Sequence, residues 1–406
     1  MKNLIKSTPP HTGAQHLLFL DGLRAVAALW VVLGHCHLFS LGWTRSATLW
    51  GRPLDLLLYL HLGVNIFLVL SGFCLALPVV RNNNRLHMRV TDYFLARSWR
   101  ILPPYFVALI LILVVNSFVP LAAWGRHPAG LTYDLTAPVL LSNIFLLQDI
   151  FPTMNVINGP FWSIAVEWHL YFIFPFLILV LRRAGASALL CTGAAIALGL
   201  SFFNAVHPQL STTVPVTVPN PPYYIFLFVL GIFAASLAFD PRFESIRARL
   251  QRWAWIMALV ACVPLCVALW KYRIIDGSNV HEFFEHVHII DPLAGVVTAA
   301  FLLGMCGLHP RHWLRRIFEA RPLVAIGGFS YSLYLVHVPI LAVLNKWIDD
   351  AGLTGHSAGN AFFVLVCVGG TVSLLFARKF AQLFEVRYRP ASRQSEHEAA
   401  LVRENA

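Results

Sequence analysis

Apolar residues along the chain gather into ten long runs parted by short polar breaks. They fall at about 17–38, 55–80, 101–122, 160–181, 185–206, 222–239, 253–270, 290–308, 323–346 and 361–380. A helix crossing the roughly 30 Å hydrocarbon core of a bilayer needs about 20 mostly apolar residues, and each run supplies that length. The pattern predicts an all-α fold, a polytopic integral membrane helical bundle of about ten transmembrane helices, with both termini on one side. A further apolar stretch, Ala137 to Gln148, is too short to cross. It is expected as a re-entrant or interfacial segment within the loop 123–159. The domain plan is a terminal segment over 1–16, one membrane domain over 17–384 and a polar tail over 385–406, with no fused soluble domain and no cleavable signal peptide expected.

Composition sharpens this reading. The chain is 58% hydrophobic and 12% charged, with a mean hydropathy of +0.68, against about 25% charged residues in ordinary soluble domains. A net charge of +11 would suit a nucleic-acid partner, but its placement argues for a topology signal and for no nucleic acid. Most of the 30 Lys and Arg fall in the loops that share a side with the termini. Only Arg45, Arg52, Arg126, Lys271, Arg273 and Lys346 fall in the opposite loops, while Arg24 lies inside the first run. Cationic loops stay in the cytoplasm, so both termini are expected there. All seven cysteines lie in apolar runs, without metal-site spacing or a disulfide framework.

Polar residues inside the apolar runs mark the candidate chemistry, because a charge at bilayer depth costs about 3 kcal/mol on insertion scales. Arg24 and His35 stand eleven residues apart, close to three helical turns, so they share a face about 16 Å apart along the axis. That spacing suggests an anion anchor at one level and an acid/base group at another. His37 is turned about 200° away. Arg97 and Arg100 share a face beside an expected helix start at Pro103-Pro104. With Arg24 they would suit a phosphorylated ligand, since the planar guanidinium binds phosphate oxygens two at a time. The second run adds His61, Asn65 and Ser71; the fourth adds an intramembrane Glu167 and His169; the ninth adds Tyr331, Tyr334 and His337, the last two on one face. His281, Glu282, Glu285, His286 and His288 lie together in a loop, but no metal site is expected there.

These stretches carry a resemblance. LDGLRAVAALWVVLGH, FLVLSGF, RSWRILPPYF, FWSIAVEWHLYFIFP and FSYSLYLVHVPI resemble, in the same order, the motifs of the acyltransferase-3 family of integral membrane O-acyltransferases. The likeness runs from about Leu17 to Glu385, and departs at Asn65, where the family often has Asp, and at Trp168. It implies transfer of an acyl group, usually acetyl from acetyl-CoA as co-substrate, to a hydroxyl of a carbohydrate, a glycolipid or another cell-envelope acceptor. It also implies an essential His35, with Arg24, Arg97 and Arg100 serving the donor. The expected catalytic pair is His35 as general base and Glu167 as its orienting group or that of an acceptor hydroxyl. Ser71, Tyr334 and His337 are expected to line the acceptor pocket, with no permanently bound cofactor. The rival class is a transporter or a lipid or glycan flippase without covalent chemistry.

Overall fold

A computed structural model describes residues 17–45, 49–86, 88–118, 135–151, 157–206, 223–275, 279–353 and 358–385. The segment 1–16 and the tail beyond 385, with the expectations placed on them, lie outside the described residues. Among the described residues the structure is helical throughout, without a strand. Eight helices are long and apolar enough to cross a membrane. They are α1 (Leu18–Leu41), α2 (His61–Arg81), α3 (Val90–Phe118), α5 (Phe161–Val206), α7 (Arg247–Lys271), α9 (Val287–Cys306), α12 (Ser330–Asp350) and α13 (Ala358–Glu385). Helix α6 (Tyr224–Phe239) is shorter, at 16 residues, and equally apolar.

The count reaches ten because α5 is two spans. Its 46 residues would measure about 69 Å if straight, more than twice the hydrocarbon core. At Gly185 the backbone takes φ 90°, ψ 178°, a conformation that glycine alone adopts without strain. Packing shows that the chain reverses there. Phe174 lies 6.1 Å from Phe228, and a methyl group on Gly193 would meet Val229 at 2.8 Å. Nineteen residues of uninterrupted helix would hold Phe174 and Gly193 about 28 Å apart, yet they address neighbouring residues of α6.

Two pairs of glycine contacts set the frame. At the crossing of α2 and α6, a methyl group on Gly72 would overlap the Phe228 carbonyl, and one on Gly231 would overlap that of Val69. Backbone thus lies on backbone, the way helices pack where lipid offers no hydrophobic drive. At the end of the bundle where the described residues begin and end, called the terminal end below, Gly22 of α1 meets the Phe318 carbonyl and Gly327 meets that of Asp21. Phe318 ends α10 (Trp313–Phe318) and Gly327 belongs to α11 (Arg321–Gly328). Helix α6 is buried along most of its length between α2, α5 and α9. By contrast α7 and α13 turn Leu259, Val260, Val263, Trp270, Phe363 and Leu375 outward, an apolar belt suited to lipid.

Three boundaries differ from the sequence expectation. Helix α3 does not start at the prolines; it begins at Val90 and runs through Pro103 and Pro104. The helix therefore forgoes only the two N–H groups that would have met the carbonyls of Trp99 and Arg100. The ninth run is divided: α11 stops at Gly328 against α1, and the spanning α12 starts at Ser330. In the second run, an 11-residue 3-10 helix, Leu49–Tyr59, precedes the spanning α2. The non-crossing stretch forms α4 (Ala137–Ile144) and a turn in which Leu146 takes φ 55°. Its Asn143, Gln148 and Asp149 are buried, while Leu141, Phe145 and Ile150 face outward. Polar groups inward and apolar groups outward suit a segment lying against lipid. Tyr105 fastens it by donating to the Asn143 carbonyl at 2.8 Å, and Gln148 donates to that of Phe161 at 3.0 Å. The remaining short helix is α8 (Val280–Glu285).

Candidate active site

Helix α1 carries its polar groups at two levels of one face. Near the terminal end the Asp21 carboxylate accepts a 2.9 Å hydrogen bond from Arg24. His35 stands about 16 Å farther along. His37 points elsewhere: it is 1% exposed and packs edge-on against Phe362 of α13. The helical period alone separates the two histidines, and only His35 reaches the interior face shared with α12.

At the terminal end, α1, α2, α3, α5, α12 and α13 bring a charged group together. Glu167 Oε1 accepts two 2.6 Å hydrogen bonds, from Ser71 of α2 and from Tyr171 one turn along α5. The Arg97 guanidinium lies over the rings of Tyr93 and Tyr171 at 5.7 and 6.0 Å. Arg100 keeps exposed surface, yet stands within electrostatic reach of Tyr171, Glu167, Glu385 and Cys74, and of Arg24. Ser332 donates to Glu385 at 2.7 Å, and Tyr331 to the Ile101 carbonyl at 3.1 Å. These bonds close the ends of α12 and α13 against α3. Among the described residues neither Arg97 nor Arg100 forms an ion pair, and the buried Nε of Arg97 has no hydrogen-bond partner. Like charges this close, without bonded counter-charges, make a site prepared for an anion.

At the other level two imidazoles meet. His337 Nε2 lies 3.2 Å from His35 Nδ1, with ring centroids 4.9 Å apart and near edge-on. His337 Nδ1 is 3.0 Å from the Leu333 carbonyl, which only accepts, so the His337 proton sits on Nδ1 and its Nε2 is an acceptor. His35 Nδ1 therefore faces two acceptors, this Nε2 and the Val31 carbonyl at 2.9 Å. Assigned from these partners, the His35 proton sits on Nδ1, and the neutral ring carries its lone pair on Nε2. That is the tautomer a general base needs. Tyr334 packs 5.9 Å from His337, and its hydroxyl accepts from Ser163 at 2.8 Å. Asn158 donates to the Leu335 carbonyl at 3.0 Å, drawing the start of α5 to the middle of α12.

The structure thus distributes the expected residues over two levels. Arg24, Arg97, Arg100, Glu167 and Ser71 gather at the terminal one. His35, His337 and Tyr334 gather at the farther one. The group seated on His35 Nδ1 is His337, while both hydrogen bonds to Glu167 come from Ser71 and Tyr171; Tyr334 stands within electrostatic reach of Glu167 between the levels. Sequence reasoning missed Tyr171, Ser163 and Asp291. Tyr171 was findable as the residue one turn from Glu167; Ser163 and Asp291 show their partners only in three dimensions. Among the described residues no three His, Cys, Asp or Glu side chains gather as a metal site.

A family model described as an acyltransferase domain matches residues 17–377. The chain is 25% identical over 347 residues to the peptidoglycan O-acetyltransferase OatA of Listeria monocytogenes, covering 81% of this chain and 50% of that protein. It is 21% identical over 402 residues to a putative O-acetyltransferase of Staphylococcus aureus, covering 95% and 59%. It is 25% identical over 341 residues to the acyltransferase MdmB of Streptomyces mycarofaciens, covering 79% and 78%. The chain therefore spans about half the length of the first of these relatives. No solved structure matches it.

Proposed function

The chain belongs to the acyltransferase-3 family, and from that premise we propose that it moves an acetyl group from cytoplasmic acetyl-CoA to a hydroxyl of a carbohydrate or glycolipid acceptor in the cell envelope. The observation that carries this reading is the pairing of two levels. One offers guanidiniums without bonded counter-charges; the other, about 16 Å away along α1, offers an imidazole whose tautomer suits a base. An acyl-CoA has the same design: a phosphate-rich head, a thin pantetheine arm and a thioester at its far tip. Arg97 and Arg100, with the Asp21-paired Arg24 beside them, hold the head at the terminal end, and the positive charge of the loops on that side supports a cytoplasmic setting for it. The arm follows the α1 face to His35.

His35 Nε2 then takes the proton of the acceptor hydroxyl as that oxygen attacks the thioester carbonyl. Collapse of the tetrahedral intermediate breaks the carbon–sulfur bond, and His35 returns the proton to the leaving CoA sulfur. His337 holds the other face of the His35 ring and keeps its proton on Nδ1. Glu167 stands below the reacting level, anchored by Ser71 and Tyr171, within electrostatic reach of Arg97 and Arg100. A positioned base of this kind contributes about 10²–10⁴-fold.

The test uses membranes containing the protein, acetyl-labelled acetyl-CoA and envelope material. Protein-dependent covalent label in a hydroxyl-bearing envelope component, with equimolar release of CoA thiol, is the expected result. A protein that binds CoA yet leaves the envelope unlabelled would sink the enzyme reading and favour a transporter.

A further inference from the structure

At the end of the bundle away from Leu17 and Glu385, three helices running in the same direction bring polar groups to one level. His61 opens α2 and Asn65 follows one turn later on the same face. Asp291 lies in the first turns of α9, and Tyr223 immediately precedes α6. Packing sets the register of the last two: a methyl group on Gly295 would meet Leu227 at 3.0 Å, and Asp291 and Tyr223 each stand one turn before those residues. Asp291 is 0% exposed, and its Oδ1 accepts a 3.0 Å hydrogen bond from His61 Nε2. Its Oδ2 and the Tyr223 hydroxyl stand within electrostatic reach of each other, but neither has a well-formed hydrogen bond. Asn65 is likewise 0% exposed, with both amide atoms lacking a partner.

Aromatic faces enclose the group. Phe283 of α8 lies edge-on to His61 at 5.2 Å, and Trp162 stacks on Tyr224 at 5.5 Å. From Trp162 the array reaches the reacting level directly, because the next residue, Ser163, hydrogen-bonds Tyr334 beside His337. A buried polar atom left unbonded costs about 1–3 kcal/mol. The two amide atoms of Asn65, beside an Asp291 carboxylate oxygen and a Tyr223 hydroxyl held only by weak contacts, go beyond what helix packing needs. A carboxylate oxygen, a phenol and an amide are matched by groups that both donate and accept, which is the character of alcohol hydroxyls. The carboxylate repels an anion. We propose that Asp291, steadied by His61 and flanked by Tyr223 and Asn65, grips hydroxyls of the acceptor beside the one acylated, and selects an uncharged polyhydroxylated group there over an anionic one. The proposal rests on the acyl-transfer reading above.

The test compares the parent with Asp291→Asn, which keeps the shape and removes the charge. Envelope membranes are titrated as acceptor at saturating labelled acetyl-CoA, and the dissociation constant of CoA is measured on the same purified preparations. The expected result is an apparent KM for the membrane acceptor raised about 10- to 100-fold, the worth of a charge-assisted hydrogen bond, with kcat and CoA affinity close to the parent's. Tyr223→Phe, which removes one oxygen from the same level, is expected to raise KM several-fold and decides the matter if Asp291→Asn does not fold. Unchanged acceptor KM in the folded variants would overturn the proposal. CoA affinity falling in step with KM would also overturn it, by showing that the group only supports the bundle. A parent that transfers no label would instead defeat the acyl-transfer reading, an outcome visible before any variant is compared.

Discussion

The two levels of the bundle handle charge in opposite ways. At the terminal level Arg97 and Arg100 are gathered without ion pairs, and the one nearby carboxylate of α5, Glu167, takes its hydrogen bonds from hydroxyls. At the far level the histidines lean on other protein groups: His35 on His337 at 3.2 Å and His61 on Asp291 at 3.0 Å. Imidazoles buried with partners are held in one tautomer and one orientation. Guanidiniums left without bonded anions are stable only when something else brings the negative charge. The far-level histidines are thus held in place by the protein itself, while the arginines of the terminal level await a partner.

The largest effect should come from breaking the far level. His35→Ala is expected to lower acyl transfer at least about 10²-fold, the low end for loss of a general base, while CoA still binds. Transfer by a folded, CoA-binding His35→Ala protein at the parent rate would end the comparison. At the terminal level, replacing Arg97 and Arg100 together by Ala should weaken CoA binding by about 10- to 100-fold. The double Lys variant should lose less, since it keeps charge and gives up the planar fork. Calorimetric titration with CoA at low and high salt checks both, and parent-like binding by both would reduce the arginines to topology signals. Tyr171→Phe should cost about 0.5–1.5 kcal/mol, or a few-fold in CoA affinity, because Glu167 keeps the Ser71 bond. His37→Ala marks the lower end. It removes a buried ring against Phe362, so melting temperature should fall while specific activity stays within a few-fold of the parent.

Much of this was legible in the chain because helices repeat. The offsets of eleven from Arg24 to His35 and of three from Arg97 to Arg100 fixed which side chains share a face before any packing was known. Apolar run length likewise foretold the ten crossings, including the pair that meets at Gly185. What periodicity does not carry is pairing across distance. His337 lies 302 residues from His35 and Asp291 lies 230 from His61, and an apolar run reads the same whichever helix it will face. The start of α12 was hidden for a related reason. Val324 and Ile326 are apolar enough to extend a span, but Gly327 is committed to the Asp21 carbonyl, and the helix breaks there. At Pro103-Pro104 the prolines resembled a start signal, and the structure carries the helix through them.

The crossing of Gly72 and Gly231 also has a mechanical side. Where two backbones touch, no side-chain layer remains to take up shear, and interiors packed at that density transmit displacement instead of absorbing it. Helices α2 and α6 therefore move as one rigid body, carrying Ser71 at one level and His61, Asn65 and Tyr223 at the other. Helix α13 is wound differently, with wider π turns at Leu365–Gly369 and Ala381–Glu385 that interrupt the regular ladder. Any opening of the bundle must hinge outside the α2–α6 joint, and the distance from Ser71 to His61, Asn65 and Tyr223 stays constant while it does.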